Sequence, residues 1–286
     1  MKALPFKIPK SSTDTLIVQE DKEVVFYDKF HQHEEIQISI IISGEGSLIV
    51  GDTITDYKAN DILIFGSNVP HVLKSASSPI KSYMISLFFT KESFGNLFFK
   101  LPEFNDLSGF FRNSVYGIRV FSKKEKLKKQ FLKIVEKKEK LDRFTIFLKI
   151  LKILKTSNIK TISSFISKRA YTDNEGKRMA KVFQVVMNEF NRDFSLKEVA
   201  DLANMTPNAF CRYFKQRTNK TFFQFLIEVR IENACRLISR ELDITISEVS
   251  YRSGFKNLSN FNRKFKEIKG MTPSDYKKRL HEPSFS

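Results

Sequence analysis

The sequence predicts two domains: an all-β barrel with a helical extension, then an all-α domain with two helix-turn-helix motifs. Three observations predict it. From residue 16 to 89, short runs rich in β-branched and aromatic residues alternate with Gly, Asn and Pro turns. From 123 to 155, apolar residues recur at helical spacing among Lys and Glu. From residue 195 onward, one capped helix–turn–helix pattern occurs twice, offset by 50 to 51 residues.

The strand runs are LIVQE, VVFYD, IQISIIIS, GSLIVG, DILIFG, HVLK and YMISLFF, punctuated by Gly44, Gly46, Gly51, Asn60 and the turn at Asn68-Val69-Pro70. Short strands at this spacing suit an antiparallel sandwich or barrel. Asp52 is expected to be a turn residue and nothing more. Residues 90–115 place many Phe around Gly and Pro. They read as loop and short helix over one barrel end, or as an exposed partner surface.

Residues 123–155 form the helical segment of the first domain, expected to occupy 1–166. Leu127, Phe131, Ile134 and Leu141 make one stripe; Phe144, Phe147, Leu148, Leu151 and Leu154 make another. Such stripes suit packing on the barrel or against a twin in a dimer. Residues 167–177, SKRAYTDNEGK, are polar without an apolar stripe and read as a linker. A bracing helix follows, with Met179, Val182, Phe183, Val186, Met187 and Phe190 inward, and opens a domain over 178–286.

In the second motif, Thr245 and Glu248 have capping-box spacing. Gly254 sits where the chain turns sharply, Asn257 suits an N-cap, and Phe261 and Phe265 make the buried face. Gly270 closes that helix, and Thr272-Pro273 opens the next. The first motif matches it. Ser195 and Glu198 stand for Thr245 and Glu248, and Asn204 for Gly254. Phe210, Arg212, Phe214 and Lys215 stand for Phe261, Arg263, Phe265 and Lys266, and Asn219 for Gly270. A Gly turn and a polar-faced second helix make a helix-turn-helix.

The 286 residues hold 49 Lys and Arg against 32 Asp and Glu, a net charge of +17. The balance is −3 through Val115, +11 from Tyr116 to Gly176 and +9 from Lys177 on. A polyanionic partner is therefore expected for the later residues only. The two cysteines, Cys211 and Cys235, give no disulfide framework or zinc pattern, which suits a reducing cytosol. The N-terminal residues lack the apolar core of a signal peptide. No uncharged apolar run approaches ~20 residues, so no membrane span is expected.

The corner Gly254-Phe255, the run F-x-R-x-F-K from Phe261 to Lys266, and G-x-T-P-x-x-Y from Gly270 to Tyr276 resemble the two-motif DNA-binding domain of the AraC/XylS family of bacterial transcription regulators. The likeness spans roughly residues 178–280. The stretch from Phe30 to His71, with H-x-H, a G-x-G turn and N-x-P-H, resembles the cupin barrel that serves many members as a sensory domain.

The resemblance implies a cytoplasmic, sequence-specific transcription regulator, more often an activator, and not an enzyme. Its implied partners are double-stranded DNA, RNA polymerase, a second copy in a homodimer, and a small-molecule effector. No cofactor is implied. Two recognition helices would read successive major-groove faces about 34 Å apart.

The positions matching the family's base readers are Asn208, Cys211 and Arg212 in the first copy, and Leu258, Ser259, Asn262 and Arg263 in the second. Arg suits guanine and Asn adenine, whereas Cys211 and Leu258 offer at most contact with a thymine methyl. Lys181, Lys215, Arg217, Lys266 and Lys269 are the expected phosphate contacts.

His31, His33, Gln37 and His71 are the effector-pocket candidates. Cupin enzymes hold a metal with such histidines and a carboxylate. Here Gln37 and Ile38 stand where that carboxylate belongs, and Glu34 and Glu35 come too early. No metal is expected; the rings are expected to bond to one another, Gln37 and the loop backbone, or to meet a polar ligand. The alternatives are a metal-dependent cupin enzyme with a DNA-binding appendage, separated by metal content, and a ligand-independent DNA-binding protein, separated by indifference to sequence.

Overall fold

Strand β2 (Ile36–Ser43) shows why the first unit needs two cores. Its sequence, IQISIIIS, does not alternate cleanly, because both of its faces are covered. Ile36, Ile38 and Ile40 pack into one apolar cluster, with residues of the helical segment, and Ile41 packs into another.

The computed structural model describes residues 14–24, 26, 30–76, 81–165 and 173–281. The chain divides into Met1–Lys177 and Arg178–Ser286. The strands of the first unit are β1 (Ile17–Glu23), β2 (Ile36–Ser43), β3 (Gly46–Val50), β4 (Thr53–Tyr57), β5 (Ile62–Phe65), β6 (His71–Ser75), β7 (Ser82–Phe89), β8 (Ile118–Val120) and β9 (Ile159–Thr161). Its helices are α1 (Ser108–Ser114), α2 (Lys124–Glu136) and α3 (Lys140–Lys155).

A six-stranded sheet runs β1-β7-β2-β5-β8-β9, and a three-stranded sheet runs β4-β3-β6. Between the sheets lie Ile41, Leu48, Val50, Tyr57, Leu63, Phe65, Leu73 and Met84. On the other face of the large sheet, Ile36, Ile38, Ile40, Leu87 and Phe89 meet Leu127, Phe131, Phe147 and Leu151. Each such fully buried side chain contributes about 1.5–3 kcal/mol.

Several expectations need correcting. The helical stretch 123–155 is two helices, broken where Lys137 and Glu139 are extended. The break lets both stripes turn onto the same sheet. Leu151 is 1% exposed in that core and so is not available to a twin, whereas Leu148 packs against the core while partly buried. Leu141, expected inward, is 75% exposed.

The strand run VVFYD lies largely outside the described residues; Phe26, within them, is buried. Strands β4, β8 and β9 were not expected. β4 is polar at alternate positions, and β8 and β9 are three residues each. The phenylalanines of 90–115 pack on the helix side of the large sheet, with Phe94 5.0 Å from Phe144 and Phe99 4.9 Å from Phe111. Asp52 is more than a turn residue: it is buried and accepts a 2.6 Å hydrogen bond from Ser163 Oγ, tying β9's exit to the β3–β4 turn.

The second unit contains α4 (Asp173–Glu189), α5 (Leu196–Leu202), α6 (Pro207–Thr218), α7 (Phe222–Arg240), α8 (Ile246–Arg252), α9 (Leu258–Lys269) and α10 (Pro273–His281). Residues 173–177 of the expected linker are therefore helical, while 167–172 lie outside the described residues. An apolar stripe marks only the part of a helix that packs, so the polar first turn of α4 was invisible to it.

Helix α7 is shared. Its first half places Phe222 and Phe225 against Phe214 of the first motif. Its second half places Ile231, Ala234, Cys235 and Ile238 in the core of the second.

Candidate nucleic-acid interface and barrel pocket

The sequence repeat is a repeat of geometry. Helices α5 and α8 are each seven residues long, and α6 and α9 each twelve. Ser195 and Thr245 each accept from the backbone N–H three residues on, completing half a capping box. The glutamates turn elsewhere, Glu198 to Arg192 and Glu248 to Arg252. Thr206 caps α6, and Asn257 caps α9 by accepting from Ser259 N and Asn260 N.

The turns need positive φ, and have it: 51° at Asn204, 85° at Gly254, 56° at Asn219 and 75° at Gly270. Ring pairs repeat as well. Phe214 meets Phe225 at 5.6 Å, and Phe265 meets Tyr276 at 5.5 Å.

With Phe210, Phe214, Phe261 and Phe265 fully buried, the opposite faces are fixed. On α6, Asn208, Cys211, Arg212 and Lys215 are exposed; on α9, Leu258, Ser259, Asn262, Arg263 and Lys266 are exposed. Each set recurs at three- and four-residue steps, so it forms one stripe. Arg263 is braced along its own helix, donating to Asn260 Oδ1 at 2.8 Å and lying 3.6 Å from Glu267. Lys181 is exposed on α4 and lines an open depression with Ser195 and Lys197.

Two expected phosphate contacts are placed otherwise. Arg217 is buried, with its guanidinium 5.8 Å from the Tyr213 ring. It falls on the inward stripe of Phe210, Phe214 and Thr218. Lys269 pairs with Glu232 on α7 at 2.5 Å, which holds it at the end of α9 remote from the N-terminal readers.

Sequence reading also missed Arg230. It donates to the carbonyls of Phe190 and Arg192, each at 2.8 Å, and lies 5.9 Å from the Phe255 ring. Lys256 pairs with Asp193 beside it. The signal was available: Leu226, Arg230 and Ala234 share one four-residue stripe, so a charge stood on an apolar face.

In the barrel, His33 Nδ1 lies 2.8 Å from Glu35 O, and His71 Nδ1 lies 2.8 Å from Val69 O. A carbonyl only accepts, so each Nδ1 carries the proton. Burial pushes both rings below the usual histidine range, His71 strongly so, with the charges of His31 and His33 adding to it. Both rings are then neutral, and both Nε2 atoms present lone pairs.

Each Nε2 lies 3.1 Å from Gln37 Oε1. Lone pairs would oppose one another there. A half-turn of the carboxamide resolves the conflict: its NH₂ donates to both rings, and its carbonyl accepts from Ser39, which is 2.8 Å away. Ring nitrogens of His31, His33 and His71 lie within 4.8 Å of one another. Three imidazoles can hold a divalent transition metal. Here the Gln37 amide stands between two of them and satisfies both.

The second unit is thus a pair of capped helix-turn-helix motifs with matched basic faces, downstream in sequence of a β-barrel. Residues 199–279 match the family model described as a helix-turn-helix domain, and residues 23–86 that described as a cupin domain. An uncharacterized HTH-type transcriptional regulator of Bacillus subtilis, YdeC, is 31% identical over 101 residues, covering 35% of this chain and 34% of that protein. The transcriptional activator RhrA of Rhizobium meliloti is 37% identical over 103 residues, covering 35% of this chain and 32% of its own length. The chain thus spans about a third of the length of these relatives.

Among solved structures, the DNA-binding domain of the global transcriptional factor AdpA in complex with a target DNA aligns at 26% identity and TM-score 0.35, over 38% of this chain and 98% of that one. The chain thus carries a helix-turn-helix domain toward its C-terminal end and a cupin domain toward its N-terminal end. Among the described residues no helix is long and apolar enough to cross a membrane.

Proposed function

We propose that this protein is a sequence-specific DNA-binding regulator of transcription, acting in the cytoplasm and not as an enzyme. The observation that carries the reading is the duplicated motif, in which exposed Arg212 and Lys215 on α6 recur as exposed Arg263 and Lys266 on α9. Asn208, Cys211 and Arg212, with Leu258, Ser259, Asn262 and Arg263, face base edges. Lys181, Lys215 and Lys266 face phosphates. Binding to consecutive turns of one DNA face follows from two such helices in one body. Relatives of the helix-turn-helix region named as transcriptional regulators and activators support regulation, and activation through RNA polymerase is the mode we favour.

The cupin domain takes a small effector around His31, His33, Gln37 and His71. Two copies of the chain associate through the outward face of α2 and α3, where Leu132 and Leu141 are exposed. The test is selection of bound fragments from random DNA by the full chain. A recovered site should bind roughly 10³-fold or more tightly than a scrambled duplex at physiological salt. Equal binding of both duplexes would leave only a non-specific basic surface.

A further inference from the structure

Beside the apolar cluster between the sheets, one end of the barrel lumen is lined by polar side chains. Gln19 on β1, Ser86 on β7 and Ser39 on β2 stand opposite one another in adjacent strands. Ser39 and Ser86 share a 2.7 Å hydrogen bond. One inward step along β2 is Gln37, and one inward step the other way along β1 is Asp21, which faces Met84 across the strands. Asp21, Gln19, Gln37 and His71 line a cavity of about 50 Å³ together with Phe26 and Phe88. That is far below the roughly 300 to 1,000 Å³ of drug-sized sites, so only a small occupant fits.

Asp21 decides what kind. Its carboxylate is half-buried and accepts from Gln19 Nε2 at 2.7 Å. Among the described residues no Lys or Arg pairs with it. Burial lifts its carboxyl above the ordinary range; the Gln19 hydrogen bond opposes this and the charge of Glu23 adds to it. A carboxylate withdrawn from water without a counter-ion is costly, and the cost disappears when a cation arrives.

We propose that the barrel takes a small organic cation, an amine, amidine or guanidine, whose protonated nitrogen pairs with Asp21 while its carbon skeleton lies against Phe26, Met84 and Phe88. Aromatic faces favour a cation. The neutral His71 ring cannot serve as counter-charge to an anion, and an anion would also meet Asp21 directly. A neutral ligand would leave Asp21 without a counter-charge among the described residues. This inference rests on the reading of the barrel as the effector site and adds the ligand's charge class.

The experiment is calorimetric titration of the full chain at pH 7 with three probes of similar size: n-butylamine, which is cationic, 1-butanol, which is neutral, and butyrate, which is anionic. The amine should bind at least about tenfold more tightly than the others. Asp21→Asn should remove that preference, and Asp21→Glu, which keeps the charge, should retain it; circular dichroism checks that each folds. Phe88→Leu gives an independent variant, weakening the amine more than butanol. Butanol or butyrate binding as well as the amine, or amine binding indifferent to Asp21→Asn, overturns the cationic class and leaves the barrel as an effector site of another kind. No binding by any probe overturns the inference and counts against the barrel as an effector site at all.

Discussion

Gly254 closes onto Asn191: a β-carbon on the glycine would stand 2.7 Å from the asparagine Cα. Gly254 is the turn of the second motif, and Asn191 lies in the segment that enters the first. Arg230 reinforces the contact from α7 by holding the carbonyls on either side of Asn191. The two motifs are thereby fixed to one another through main-chain atoms.

Gly254→Ala should be costlier than Gly270→Ala. Both glycines have positive φ, which costs an alanine about 1–2 kcal/mol. Only Gly254 also meets a neighbour, since nothing lies within 4 Å of a β-carbon at Gly270. Overpacking adds about 1–3 kcal/mol. Urea unfolding of the C-terminal transition would measure both, and equal costs would refute the Asn191 contact.

Arg212→Ala and Arg263→Ala should differ in kind from Lys266→Ala. Loss of a base-reading arginine should cost ~1–3 kcal/mol on the specific site and relax its sequence preference. Loss of Lys266 should weaken all duplexes alike and lower the salt slope by about one. Arg217→Ala should act on stability rather than on salt dependence, because the side chain is buried. Titrations on specific and scrambled duplexes at several salt concentrations separate these outcomes.

Acid should destabilise the N-terminal unit from about pH 6.5 downward. His33 and His71 are held neutral by burial in the fold, whereas the unfolded chain protonates them near 6.5. Below that pH the unfolded state binds more protons, so stability falls as pH falls, by up to about 1.4 kcal/mol per pH unit for each ring. Asp21, lifted above its usual range, has the opposite sign. Thermal melts of wild type and His71→Gln between pH 8 and 5 isolate the imidazole contribution; identical slopes would show that His71 charges freely in the fold.

Leu151→Glu should unfold the first unit, whereas Leu141→Glu should leave it folded. Leu151 is 1% exposed and Leu141 75% exposed. Placing an unpaired charge in the core costs several kcal/mol, about 3–5 when a buried charge is left alone. Sedimentation of Leu141→Glu then tests association: a folded monomer supports the outward helical face as the interface, and a persistent dimer places it elsewhere.

What could be read beforehand was local chemistry. Caps at Ser195, Thr245 and Asn257 and the left-handed turns at Asn204, Gly254, Asn219 and Gly270 depend on a few consecutive residues, and all are present. What escaped depends on register or on distant partners. Nothing near Lys269 announces Glu232 on another helix. The row of Gln19, Ser39 and Ser86 exists only once three strands are aligned. The helix break at 137–139 carries neither Gly nor Pro, so no breaker marked it.

Strand β2 is a party wall. Gln37 and Ser39 look into the cavity side, while Ile36, Ile38 and Ile40, their immediate neighbours in the chain, carry the helical layer on the other. An occupant that shifts the first pair by a fraction of an ångström shifts the second set by covalent necessity. An effector bound in the lumen would therefore have one peptide bond between its contacts and the residues that carry α2 and α3.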